Sequence, residues 1–152
     1  MTAAGGAAEC TICAMVADEP AAGWTYADES WVAGVLPGLE VPGWIVLALR
    51  RHSVETAPLS EREGSGLGVA ISRLSAALAE VTDAERVYLQ AYGEREPHWH
   101  LLLTARGPEV APEHRHVAFF THREEYVDVE EAHHVVDRLR RVMSADRSEA
   151  VR

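Results

Sequence analysis

The stretch "EPHWHLLLTAR", Glu96 to Arg106, sets two histidines among bulky apolar residues. Side chains on a strand alternate between its faces, so His98 and His100 share one face, roughly 7 Å apart along the chain. The alternation then halts, because Leu102 stands where a third ring would continue it. Two titratable rings on a core-like strand need partners, since a buried imidazole left unpaired costs about 1–3 kcal/mol.

Outward from this strand the chain reads as alternating short elements. "ERVYLQAY", Glu85 to Tyr92, is a strand, joined to the histidine strand by a turn around Gly93 and Pro97. Before it, Ser60 and Glu63 form a capping-box signature, and Leu67, Ala70, Ile71, Leu74, Leu78 and Val81 recur at helical spacing. The glycines at 64, 66 and 68 weaken the first turns and predict a late helix start. "WIVLALR", Trp44 to Arg50, is a continuous apolar run of strand length, hence a buried strand. "WTYADESWVAGVL" predicts a hairpin turning at Asp28 and Glu29, and the Pro/Gly-rich "LPGLEVPGW" a loop.

Residues from Gly107 to His122 read as irregular and carry His114, His116 and His122. Asp128 and Glu131 form a second capping signature ahead of an amphipathic helix marked by Ala132, Val135, Val136, Leu139 and Met143. His133 and His134 read as ordinary residues of that helix. The order strand, strand, strand, helix, strand, strand, helix indicates an α+β domain with a largely antiparallel sheet. Residues 10–143 form one domain in this reading, with a disordered N-terminus over 1–9 and a frayed tail over 144–152.

The 152-residue chain carries a net charge of −10, and its 14 basic residues are all arginine. Such an acidic chain is repelled by bulk nucleic acid and anionic membranes, although a local donor cluster still suits a small phosphorylated ligand. No apolar run is long enough to span a membrane, and the start lacks the basic and apolar regions of a signal peptide. A cytoplasmic location is the resulting expectation.

The two cysteines, Cys10 and Cys13, sit in "ECTIC". This spacing suits half of a metal site, a redox pair or two thiols of no special role. The redox reading wants a helix start, whereas "ADEPAAG" downstream reads as a turn. A metal site needs two further ligands, from histidines or carboxylates.

Three segments together resemble the histidine triad superfamily. "VPGWIVLALRRH" is similar to its Pro-Gly-His, apolar strand, Pro-Lys-x-His segment, and "PHWHLLLTAR" to its signature strand His-φ-His-φ-His-φ-φ, where φ is apolar. "YADESWVAGVL" resembles its N-terminal hairpin, preceded by Cys-x-x-Cys as in many bacterial members. The resemblance covers roughly residues 10 to 106. It implies a five-stranded antiparallel sheet with a central helix and a C-terminal helix, assembled as a homodimer.

It further implies a structural zinc held by Cys10, Cys13, His52 and His98, a closed tetrahedral set of two thiolates and two imidazoles. His100 takes the place of the family's nucleophile, which attacks an α-phosphorus and carries a covalent nucleotidyl group. Leu102 replaces the third histidine, Leu36 and Gly38 stand where the family often has an Asp for the ribose hydroxyls and an Asn two residues later, and Trp44 replaces the histidine of Pro-Gly-His. "GER", with Arg95, stands where Gly-Gln-Ser cradles phosphate. Arg95 and Arg106 are candidate phosphate ligands, with Arg50 and Arg51 weaker ones. The expected function is a zinc-stabilised nucleotide hydrolase or nucleotidyltransferase acting on a phosphoanhydride, phosphoramidate or phosphodiester. The alternatives are a binding module for a nucleotide or partner that has lost catalysis, and a purely structural dimer.

Overall fold

The computed structural model describes residues 9–18, 23–54 and 56–149, with the side chains of 146–149 left aside. The first eight residues, residues 19–22 of the expected turn and residues 150–152 of the expected tail lie outside the described residues. Five strands form one sheet: β1 (Tyr26–Ala27), β2 (Trp31–Gly34), β3 (Trp44–Leu49), β4 (Arg86–Gln90) and β5 (His100–Arg106). Their spatial order is β1-β2-β3-β5-β4, and every neighbouring pair is antiparallel. The helices are α1 (Thr11–Ala17), α2 (Glu61–Thr82), α3 (Val117–Thr121) and α4 (Val129–Glu149). α4 therefore runs on to Glu149, into the segment from 144 onward that the sequence reading treats as tail.

All six residues of β3 are buried because both faces of the sheet are covered. Ile45, Leu47 and Leu49 pack with Leu103 and Ala105 of β5 against Leu74 and Leu78 of α2 and Val136, Leu139 and Met143 of α4. Their strand neighbours Trp44, Val46 and Ala48 point the other way, and with Leu102 they meet Ile12 and Met15 of α1, Val110 and Phe119. Each fully buried large apolar side chain stabilises the fold by about 1.5–3 kcal/mol. The sheet thus divides the core in two, and His98 and His100 belong to the second side.

α2 begins at Glu61, at its cap, and not late as its glycines suggest. Both capping-box bonds form: the Glu63 N–H donates to Ser60 Oγ (3.2 Å) and the Ser60 N–H to Glu63 Oε2 (2.8 Å). The Trp31 indole N–H also donates to the Glu63 carbonyl at 2.9 Å, anchoring the first turn on the sheet. Gly66 lets that indole approach, since a Cβ there would lie 3.3 Å from Trp31 Cδ1.

Two other expectations need correction. The residues after Cys13 continue a helix, α1, before any turn, and Cys10 is its N-cap. Residues 107–122 are not irregular throughout: a 3-10 turn spans Pro112–His114 and α3 follows, pinned by buried Val110 and Phe119. Both helices are shorter than the two turns that periodicity needs before it shows.

Candidate metal centre and catalytic strand

The end of β3, the start of α1 and the lead into β5 converge at one point. Cys10 caps α1, so Cys13 sits one turn inside it and the two thiols share a face. His52 follows β3, and His98 joins Val54 in an isolated antiparallel bridge just before β5. Cys13 Sγ lies 3.2 Å from His52 Nδ1 and 3.4 Å from His98 Nδ1, and Cys10 Sγ lies 3.4 Å from His98 Nδ1. One ligand atom from each of the four residues falls within 4.8 Å of all the others. A tetrahedron with zinc–sulfur bonds near 2.3 Å and zinc–nitrogen bonds near 2.0 Å has S···N edges of roughly 3.5 Å, so the cluster matches that shape.

The surroundings favour a cation. His98 is 0 % exposed, and its Nε2–H donates to the Leu49 carbonyl at 2.7 Å, which leaves the Nδ1 lone pair aimed at the thiols. Burial, ahead of any neighbour, pushes the His98 pKa down and keeps the ring neutral. Burial also pushes the Cys13 thiol up to about 11, helped by its hydrogen bond and charge interaction with Cys10. Two thiolates this close repel each other unless a cation sits between them. The four residues therefore fit zinc, which would bind as a closed structural centre. The helix start that a redox pair wants is present, but among the described residues no strand leads into α1 as the thioredoxin-like pattern requires.

His100 opens β5 on the same face, half-buried. Its Nδ1 lies 2.6 Å from the His98 carbonyl oxygen. A carbonyl only accepts, so Nδ1 carries the proton and Nε2 keeps a free lone pair. His98 and the ring two residues on are thus linked through one backbone carbonyl.

Leu102 is 6 % exposed, and the structure explains the break in the alternation. At that point β5 passes under the cover formed by α3, and Leu102 joins Val46, Trp44 and Phe119 in an apolar cluster. Trp44 is held edge-on by Phe119 (ring centroids 5.1 Å apart) and stacked by Phe120 (6.0 Å, 7° between planes). An imidazole at 102 would be buried among hydrocarbon. Leu36 packs on the same cluster, and Gly38 sits in a turn at φ +88°.

The arginines separate. Arg106 is buried and already paired with Glu85, its Nε donating to the Tyr88 hydroxyl at 3.4 Å, so its charge is not offered to a ligand. Arg51 is paired with Glu63, and Arg50 Nε donates to the Asp28 carbonyl. Arg95 remains exposed in the loop leading to His98. The rings of His114 and His122 stack 4.0 Å apart at 11°, with His114 Nδ1 2.7 Å from the Tyr126 hydroxyl and His122 Nδ1 2.8 Å from Glu125. Parallel rings send their lone pairs side by side, not to one point, so with Glu125 they make a poor converging ligand set. The sequence reading missed Gln90, which the register puts directly across from Leu102 on β4.

No protein-family model matches the sequence, and no curated protein does. Solved structures do match in fold. A histidine triad protein from Bradyrhizobium japonicum superposes with TM-score 0.63 at 26% identity, covering 78% of this chain and 87% of its own. A Zn-bound histidine triad family protein from Mycobacterium smegmatis gives 0.62 at 21%, covering 92% and 99%. A hypothetical histidine triad nucleotide-binding protein from Sulfolobus tokodaii gives 0.68 at 16%, covering 90% and 93%. The expected five-stranded α+β architecture is the one observed, and the fold is that of the histidine triad proteins.

Proposed function

We propose that this histidine triad fold carries a zinc-stabilised nucleotide hydrolase or nucleotidyltransferase whose nucleophile is His100. The observation that supports it most is the 2.6 Å bond from His100 Nδ1 to the His98 carbonyl, which frees Nε2 on a half-buried sheet face. In the first step Nε2 attacks the α-phosphorus of a phosphoanhydride, phosphoramidate or phosphodiester. The P–N bond forms as the bond to the leaving group breaks, and that group departs with the electron pair and is protonated from solvent. The ring becomes cationic, and the His98 carbonyl, already hydrogen-bonded to Nδ1–H, stabilises the charge. Water or another acceptor then attacks phosphorus, the P–N electron pair returns to Nε2, and the acceptor's proton goes to solvent. Zinc on Cys10, Cys13, His52 and His98 would hold the backbone on which His100 turns. The exposed Arg95 is the candidate phosphate ligand of the loop before that strand.

The open edge of β4, with Leu89 49 % exposed, would let a second copy extend the sheet into a homodimer. The second reading, a nucleotide- or partner-binding module without turnover, draws on the apolar setting of Leu36 and Leu102 where ligand contacts are expected.

Intact-mass and peptide mass spectrometry at neutral pH, after mixing with adenylated and uridylated phosphoramidates and dinucleoside polyphosphates, tests the first reading. A nucleotidyl adduct on the peptide containing His100, absent in His100→Ala, is expected. Identical behaviour of the two proteins across the panel would remove the enzyme and leave the binding module.

A further inference from the structure

The spacing of Cys10 and Cys13 suits a metal half-site or a redox pair, and the structure brings the two uses together. Cys10 stands outside α1 as its N-cap, in extended backbone (φ −86°, ψ 117°), and its Sγ accepts the Cys13 N–H at 3.4 Å. Both sulfurs lie 3.4 Å from the same His98 Nδ1. They are within 4.8 Å of each other. Residues three apart at a helix start have Cβ atoms about 5–6 Å apart, against the roughly 3.5–4.5 Å that a disulfide needs. Because Cys10 is outside the helix, rotation about its own bonds closes that gap and leaves α1 intact.

The two thiols differ in access. Cys10 is 8 % exposed and meets His98 in the buried half of the cluster. Cys13 is half-buried and meets His52, also half-buried, on the more open side. An oxidant arriving from solvent reaches Cys13 first and finds Cys10 behind it. The chain has no other cysteine, so an intramolecular disulfide can form only between these two.

We infer that Cys10 and Cys13 are a peroxide-sensitive modification site, with Cys13 oxidised first and Cys10 closing a disulfide that releases the metal. This rests on the zinc reading of the four-residue cluster. The Cys13 sulfur attacks one oxygen of hydrogen peroxide or an organic hydroperoxide, and the S–O bond forms as the O–O bond breaks. The other oxygen leaves as hydroxide or alkoxide and takes a proton from solvent. The Cys10 sulfur then attacks the Cys13 sulfur, forming S–S as S–O breaks, and the departing oxygen is protonated to water. The two thiolates lose two electrons to the peroxide, and solvent supplies two protons. A disulfide carries no charge, so His52 and His98 alone remain to hold the cation, and the cluster gives it up.

The test treats the zinc-loaded full chain with hydrogen peroxide beside a chromophoric chelator too weak to strip the untreated protein. Alkylation and peptide mass spectrometry follow the thiols. Bound zinc should be lost mole for mole as a disulfide forms in the peptide carrying Cys10 and Cys13. Dithiothreitol with added zinc should restore both. A sulfenic-acid trap reads the order of attack. Cys10→Ser and Cys13→Ser, both metal-free, each leave one thiol without a resolving partner. Capture at Cys13 in Cys10→Ser should exceed capture at Cys10 in Cys13→Ser about tenfold or more.

Zinc that stays bound through peroxide treatment keeps the metal centre and overturns the inference. So does zinc lost with Cys13 driven on to sulfinic acid and no disulfide formed, or equal capture in the two variants. A wild-type chain that takes up no zinc, yet closes the disulfide, overturns the metal reading and with it the release step. It leaves Cys10 and Cys13 as a plain redox pair.

Discussion

His98 and His100 lie two positions apart on one sheet face, yet their nitrogens are used in opposite senses. His98 donates from Nε2 to Leu49 and turns Nδ1 to the thiols, whereas His100 gives up Nδ1 to the His98 carbonyl and keeps Nε2. The tautomers follow from which carbonyl is within reach, and they leave Nδ1 of His98 facing the thiols and Nε2 of His100 facing away from its carbonyl partner. His98→Ala therefore removes the proposed zinc ligand and leaves the Leu49 carbonyl without its buried donor, a loss of about 1–3 kcal/mol before any metal effect. His100→Ala removes a half-buried ring that, among the described residues, hydrogen-bonds to a carbonyl two residues away. Metal analysis and thermal melting should find His98→Ala depleted of zinc and destabilised, and His100→Ala with zinc retained and a melting temperature near wild type. A zinc-replete His98→Ala would contradict the four-ligand centre.

At the scale of elements, what was legible in the sequence was what local chemistry decides. β3 showed itself as an unbroken apolar run, and the Ser60–Glu63 and Asp128–Glu131 caps both form, the latter through a 3.0 Å bond from the Glu131 N–H to Asp128 Oδ1. The Cys10–Cys13 spacing was legible as half of a metal site, but its completion by His52 and His98 was legible only through the family resemblance, since the meeting depends on three separate elements. The place of Gln90 across from Leu102 was not legible, because it comes from a cross-strand register that one strand's sequence does not contain. α3 was hidden by its length, and with it the reason for Leu102.

Gly43 was read only as loop punctuation, but it has a packing role. It enters β3 at φ +81°, and a Cβ there would lie 2.8 Å from the Ala105 Cβ on β5. Both the backbone conformation and the contact penalise a side chain, so Gly43→Ala should cost about 1–3 kcal/mol in chemical denaturation. Gly38→Ala, with φ +88° but open space around its Cβ, should show the conformational part alone and a smaller loss. Equal losses would mean that the Ala105 contact does not matter.

For the whole molecule, the cluster of Cys10, Cys13, His52 and His98 joins α1 to the middle of the sheet, across 88 residues between Cys10 and His98. A metal that binds only the folded state stabilises it by about 2.7 kcal/mol when free zinc is a hundredfold above its dissociation constant. In a chain of this size that corresponds to roughly 5–10 °C. Chelation should lower the melting temperature by about that much and leave Cys10→Ser, already metal-free, unchanged. A wild-type protein indifferent to chelator would argue against the metal.

Acid acts on a second tie. The Arg51 guanidinium, and after it the Ser60 N–H, hold the Glu63 carboxyl down from 4.5 to about 2, linking the loop after β3 to the start of α2. A carboxylate whose folded pKa is depressed stabilises the fold above its unfolded pKa, and that stabilisation is lost as pH falls through the folded value. The melting-temperature difference between wild type and Glu63→Gln should therefore be full at pH 6, shrink below about pH 4.5 and approach its minimum near pH 2. Taking the difference at each pH cancels the other carboxylates and the acid release of zinc, which both proteins share. A difference that stays constant from pH 6 to pH 2 would show that Glu63 acts through its shape in the capping box and not through its charge.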